Sequence, residues 1–178
     1  RVIGIEPASL VTKSLVREVK TDDAGCFQSA LNPGLTKIAV IERHKRTGKL
    51  GIGILEGYGL TGGAIATTIS HDSHNIVVAG DNDPDMLLAV RELADMGGGI
   101  VSVHGGSIRR LPLPIAGLMT SADPQEVNAV LHDMLVAARA ELGIPEDVEP
   151  FMTLSFMALP VIPELKLTAR GLFNVNTF

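Results

Sequence analysis

Gly63-Ala64-Ile65-Ala66-Thr67-Thr68-Ile69-Ser70-His71-Asp72-Ser73-His74-Asn75-Ile76-Val77-Val78-Ala79-Gly80 is the stretch on which the reading of this chain turns. Two apolar runs rich in β-branched residues, 63–69 and 76–80, read as strands. Between them lie His71, Asp72, Ser73, His74 and Asn75, an unbroken polar run that includes two imidazoles. A reverse turn needs only about one or two residues such as Asp, Asn, Ser or Gly. The surplus places donors and acceptors at a sheet edge.

Working outward, Asp81-Asn82-Asp83-Pro84-Asp85 reads as a helix start, with Asp83 as cap, Pro84 in the first turn and Asp85 favoured by the dipole. Met86, Leu87, Val90, Leu93, Ala94 and Met96 follow as an apolar stripe, and Gly97-Gly98-Gly99 ends it. Residues 100–104 and 107–113 form a hairpin around Gly105-Gly106. Ser121-Ala122-Asp123-Pro124 repeats the helix signal and opens a helix to about Leu142, with Val127, Val130, Leu131, Met134, Leu135 and Ala138 inward. Gly143 stops it.

Upstream, residues 10–20 suggest a half-exposed strand, and residues 38–55 a hairpin turning at Thr47-Gly48-Lys49. The middle of the chain is therefore β-β-α-β-β-α. The expected fold class is α+β, a two-layer arrangement of a largely antiparallel sheet with helices on one face. A doubly wound α/β fold is disfavoured, because tight hairpins demand antiparallel pairs. Residues 151–167 are very apolar for a terminal segment, and Pro160 and Pro163 oppose a continuous helix or central strand there. Such a segment packs against something, in this domain or a missing one.

Of the 178 residues, 46 % are apolar and 20 % charged, a globular composition with enough chain for a real core. A net charge of -5, one Tyr and no Trp argue against a nucleic-acid groove. Cys26 is the only cysteine, so neither an internal disulfide nor a thiolate metal cage can form, and its acidic neighbours disfavour a thiolate. No apolar run reaches the ~18 residues of a membrane span. The expectation is a soluble, cytoplasmic protein without membrane or nucleic-acid partners. The first residue is Arg1 rather than Met, which suggests a piece of something larger.

Gly57-Tyr58-Gly59-Leu60-Thr61-Gly62 fits a dinucleotide-loop pattern, but strand rather than helix follows it. His71 and His74 are spaced to share a metal with Asp72 or Asn75, to hydrogen-bond a heterocycle, or simply to cap neighbouring strands. Glu42-Arg43-His44 brings three ionisable groups to a strand end, either a solvated hairpin mouth or a second candidate site. His104 reads as a turn residue and His132 as solvent-facing. Glu164 is the one acid in the apolar tail, either at a rim or buried with a partner.

Several strings together closely resemble the C-terminal region of bacterial adenine deaminases, a branch of the amidohydrolase superfamily. They are residues 37–44, Gly63-Ala64-Ile65-Ala66 with residues 71–75, Gly97-Gly98-Gly99-Ile100-Val101, residues 111–119, and residues 151–168. The resemblance runs in order from about Thr36 to Phe173, which separates an N-terminal strand and linker segment, 1–35, from an adenine-deaminase-like domain, 36–178.

The resemblance implies an enzyme of purine salvage that converts adenine to hypoxanthine and ammonia. A metal-bound hydroxide attacks C6 in an N-terminal β/α barrel that carries manganese or iron. That barrel and its ligands lie outside this sequence, so no catalytic or metal residue is assigned here and this chain alone is expected to be inactive. The expected partners are the barrel, a purine and further copies of the protein. His71, Asp72, Ser73, His74 and Asn75 are the substrate-side candidates, with Glu42, Arg43, His44 and Glu164 secondary. Two other functions remain open: an assembly module docking through residues 151–167, and a self-contained metal hydrolase built on His71, Asp72 and His74.

Overall fold

The two apolar runs of residues 63–80 become neighbouring inner strands of an eight-stranded sheet in the computed structural model, which describes residues 1–177. The elements are β1 (Val2–Ile5), β2 (Thr12–Leu15), β3 (Leu35–Ile41), β4 (Leu50–Glu56), β5 (Gly63–Thr67), β6 (Ile76–Gly80), α1 (Asp83–Asp95), β7 (Gly99–His104), β8 (Ser107–Pro112), α2 (Pro124–Ala140), α3 (Pro150–Phe156), β9 (Leu165–Thr168) and β10 (Gly171–Asn174). The large sheet runs β2-β1-β4-β3-β6-β5-β7-β8, and β9 and β10 form a separate hairpin. Every pairing is antiparallel except β1 with β4. The α+β class, the largely antiparallel sheet and the β-β-α-β-β-α order are as expected.

The layering goes beyond the expectation of helices on one face. Alternate residues of the inner strands feed two separate cores. Ile38, Val40, Ile65, Val77 and Ile100 pack with Met134 and Ala138 of α2, Phe151 and Leu154 of α3, and Leu165 and Leu167 of β9. Their neighbours Ala39, Ala64, Ala66, Val78 and Val101 pack with Met86, Ala89 and Leu93 of α1 on the other side. Three alanines on that face allow α1 to sit close to the sheet. The first three-quarters of the chain thus forms a covered sheet, and its final segment completes the second face.

Helix boundaries follow the capping signals with one shift. Asn82, not Asp83, is the N-cap of α1, and its side chain accepts from the Asp85 amide at 2.8 Å. Asp123 caps α2 through the Gln125 amide as read. The buried residues of α1 are Met86, Ala89 and Leu93, whereas Leu87 and Ala94 are exposed. Along α2 the buried residues are Met134, Ala137 and Ala138, and Val130 is exposed.

The apolar tail packs within this domain. Phe151, Leu154, Met157, Ala158, Leu159, Leu165 and Leu167 all belong to the core, so residues 151–167 are not a free docking segment. Helix α3 ends before Pro160 and Pro163, and the chain then returns as β9. From the segment 1–35, β1 and β2 complete one edge of the same sheet.

Candidate functional site

The antiparallel register explains how distant residues meet at one end of the sheet. Ile41 pairs with Ile76 on β6 and with Leu50 on β4. The chain beyond Ile41 therefore emerges beside the loop of residues 71–75. Asn75 is buried, and its Oδ1 accepts from the Arg43 amide at 3.4 Å. The Arg43 Nε donates to the His74 carbonyl at 2.6 Å, and another guanidinium nitrogen donates to the Ala116 carbonyl at 2.7 Å. His44 Nε2–H donates to the Ser73 carbonyl at 2.7 Å, which fixes the proton of its neutral ring on Nε2.

Within the loop, the Ser70 amide donates to His74 Nδ1 at 3.3 Å, leaving Nε2 to carry the proton of the neutral ring. Burial is the main cause of a lowered His74 pKa, reinforced by the charges of His71 and Arg43 and opposed by Asp72. The His71 ring lies 4.6 Å from the Phe156 ring and 5.6 Å from the His74 ring, centre to centre. Its amide donates to the Ser155 carbonyl at 3.0 Å. Asp72 and Ser73 are exposed at the tip.

A buried threonine secures the opposite wall. Thr68 Oγ1 donates to the Gly117 carbonyl at 2.6 Å and accepts from the Gly99 amide at 2.8 Å. Gly117 has φ +76°, and a Cβ there would lie 2.8 Å from an Arg43 guanidinium nitrogen. At this left-handed φ a side chain is strained, and its Cβ would have to displace the Arg43 guanidinium.

Two secondary candidates have other tasks. Glu42 accepts from the amides of His44, Lys45 and Thr47 and from the Thr47 hydroxyl. These contacts, led by the Thr47 amide, hold its carboxyl down to about 2. It organises the β3–β4 turn. Glu164 is half-buried against the edge strand β2, where its carboxylate accepts from the Ser14 amide at 2.9 Å. It does not join the loop.

The glycine-rich loop before β5 is also internal: the amides of Gly62 and Gly63 donate to the Asp81 carboxylate, and β5 follows. His104 Nδ1–H donates to the Gly62 carbonyl at 2.8 Å, and His132 is exposed on α2.

The structure thus brings together His71, Asp72, Ser73, His74, Asn75, Arg43 and His44. It adds Thr68, Ser70, Ser155, Phe156 and Gly117, which sequence reasoning missed. Thr68 and Ser70 stood at the end of a predicted strand, so their polarity was the available signal. Phe156 had none, because only the return of α3 brings it to His71. Ser70 Oγ is fully buried and has no hydrogen-bond partner among the described residues. Among the described residues, no group of three or more His, Cys, Asp or Glu is placed to hold a metal ion. Five cavities of 190–490 Å³ lie elsewhere on the described surface. Asp72 and Ser73 are exposed and His71 and His74 half-buried, so the cluster offers hydrogen bonds and ring faces at an open surface.

Residues 9–178 match the family described as adenine deaminase C-terminal domain. The chain belongs to this family. Along its whole length it is 60 % identical to an adenine deaminase of Nitratidesulfovibrio vulgaris strain Hildenborough and covers 31 % of that protein. It is 47 % identical to an adenine deaminase of Clostridium acetobutylicum, with 99 % of the chain and 31 % of the relative covered. With an adenine deaminase of Methanothrix thermoacetophila the identity is 44 %, over 100 % of the chain and 31 % of the relative. The chain spans about a third of the length of the curated relatives it matches. No helix among the described residues is long and apolar enough to cross a membrane.

Proposed function

We propose that this chain works as the C-terminal domain of an adenine deaminase, in which adenine and water give hypoxanthine and ammonia in the cytoplasm. The observation that carries this reading is identity of up to 60 % along the entire chain with proteins named adenine deaminase. The donors among the described residues do not fit a metal centre, because no three of His, Cys, Asp and Glu converge there and the His71 and His74 rings meet edge to face at 5.6 Å. Manganese or iron would be held by the N-terminal amidohydrolase barrel, outside this chain.

The loop of residues 71–75 then holds or shields adenine at the barrel mouth, in the same or a neighbouring subunit. Adenine presents ring-nitrogen acceptors and an exocyclic amine that donates. His74 Nε2–H matches an acceptor of this kind, and the Asp72 carboxylate matches the amine. His71 and Phe156 offer ring faces to a planar heterocycle. Asn75 and Arg43 act behind them, since their hydrogen bonds are made within the loop framework. An open cluster needs a second wall, and the barrel supplies it.

The test is adenine turnover with added manganese by the chain alone, by the chain mixed with the separately expressed remainder, and by full-length His71→Ala and His74→Ala variants. The expected result is no turnover alone, turnover on mixing, and a raised KM in the variants. Turnover by the lone chain would overturn the accessory role. Unchanged kcat and KM in both variants would remove the loop from the substrate site.

A further inference from the structure

Helix α1 packs over β5, β6 and β7, reaches Ala39 of β3, and leaves β4 uncovered on the same face of the sheet. The exposed residues there are apolar: Ile52 is 58 % exposed, Leu50 51 % and Leu87 51 %. With the half-buried Ile41 and Val90 they line a groove of about 240 Å³, and the Lys37–Asp83 ion pair lies at its margin. Strand β4 pairs with β3 along its whole length, whereas β1 pairs with it only at Leu55 and Glu56. Other exposed apolar side chains, such as Val16, Val136 and Val161, do not line this groove. A concave apolar patch is costly to leave in water and marks an interface.

We infer that this groove is the seat of the polypeptide that full-length relatives carry beyond this domain. That polypeptide makes up the remaining two-thirds of their length, and its covalent tether gives it a high effective concentration at the groove. Position supports the same occupant. Ile41 and Leu50 form the last rung before Arg43, so the groove ends beside the polar cluster. The partner face is apolar, to match a groove of Leu, Ile and Val. The inference rests on family membership and stands whether or not residues 71–75 touch adenine.

Hydroxyl-radical footprinting of the 178-residue chain and of the full-length protein tests it, because the label reads side-chain accessibility directly. In the isolated chain Leu50, Ile52 and Leu87 label as exposed residues. In the full-length protein, at every concentration, their labelling falls to the level of buried Leu55 and Leu93. Full-length Leu87→Asp restores labelling at Leu50 and Ile52, while the same substitution in the isolated chain leaves its unfolding midpoint unchanged. Equal labelling in chain and full-length protein overturns the inference. Protection that grows with concentration in the isolated chain also overturns it, and assigns the groove to a second copy. Adenine turnover is not the readout, so failure here is separate from failure of the proposed function.

Discussion

Arg43 Nε donates to the carbonyl oxygen of His74 at 2.6 Å, and this bond ties the end of β3 to the loop between β5 and β6. A second bond from the same guanidinium reaches the Ala116 carbonyl, so one side chain holds two loops. The clamp uses donors in a fixed planar fork, which an ammonium group cannot reproduce.

Arg43→Lys is therefore expected to destabilise the domain by about 1.5–3 kcal/mol, the range for hydrogen bonds to a charged group. Urea denaturation of the two proteins measures it through the unfolding midpoint. An unchanged midpoint would show that the clamp contributes nothing.

Gly117→Ala attacks the same clamp from the backbone side. The new Cβ would meet two guanidinium nitrogens at 2.8 and 3.0 Å and Thr68 Oγ1 at 3.0 Å, at φ +76°. We expect a loss of about 1–3 kcal/mol from strain and displacement together. Thermal unfolding should show it, and a melting temperature equal to that of the parent would count against the packing described.

His74 sets a pH dependence. Burial holds its folded pKa below the ordinary 6.5, so on acidification the unfolded chain takes up the proton first. Its stabilising contribution is present above pH 6.5 and is lost as pH falls through the lower folded value. Asn tolerates the φ of +48° found at this position and does not titrate. Between pH 7.5 and 5.5 the unfolding midpoint should fall more steeply in the parent than in His74→Asn. Parallel curves would refute this.

Lys166 is fully buried on β9, and its Nζ donates to the Leu10 carbonyl at 2.9 Å. Burial pushes its pKa down to about 8 from 10.5. Between those values the unfolded chain binds more protons, so stability rises with pH across this window, by up to about 3 kcal/mol. Lys166→Met should abolish that rise while leaving stability near pH 7 little changed, because relief of the buried charge offsets the orphaned carbonyl. Alkaline denaturation series of the two proteins give the comparison, and an equal rise in both would place the titration elsewhere.

The strands around residues 71–75 were legible because β-branched runs and a polar run differ sharply in solvation. Helix starts were legible because Asn82, Asp83 and Pro84 act on the nearest amides, although Asn82 takes the cap. Leu87 was assigned inward and lies exposed, whereas Ala89 is buried. Periodicity defines an apolar stripe but not how much of it the neighbouring sheet covers. Lys166 gave no signal at all, since a lysine in a polar-apolar alternation reads as solvent-facing.

Local sequence determined the strands, the turns, the capped helices and the dense polar run His71–Asn75, because each depends on interactions between residues close along the chain. Tertiary structure alone decided that Arg43, Gly117, Ser155 and Phe156 would meet that run, and that α1 and α2 would cover opposite faces of one sheet. Strand register and helix docking are settled by packing between segments far apart in the chain, and no local pattern encodes those distances.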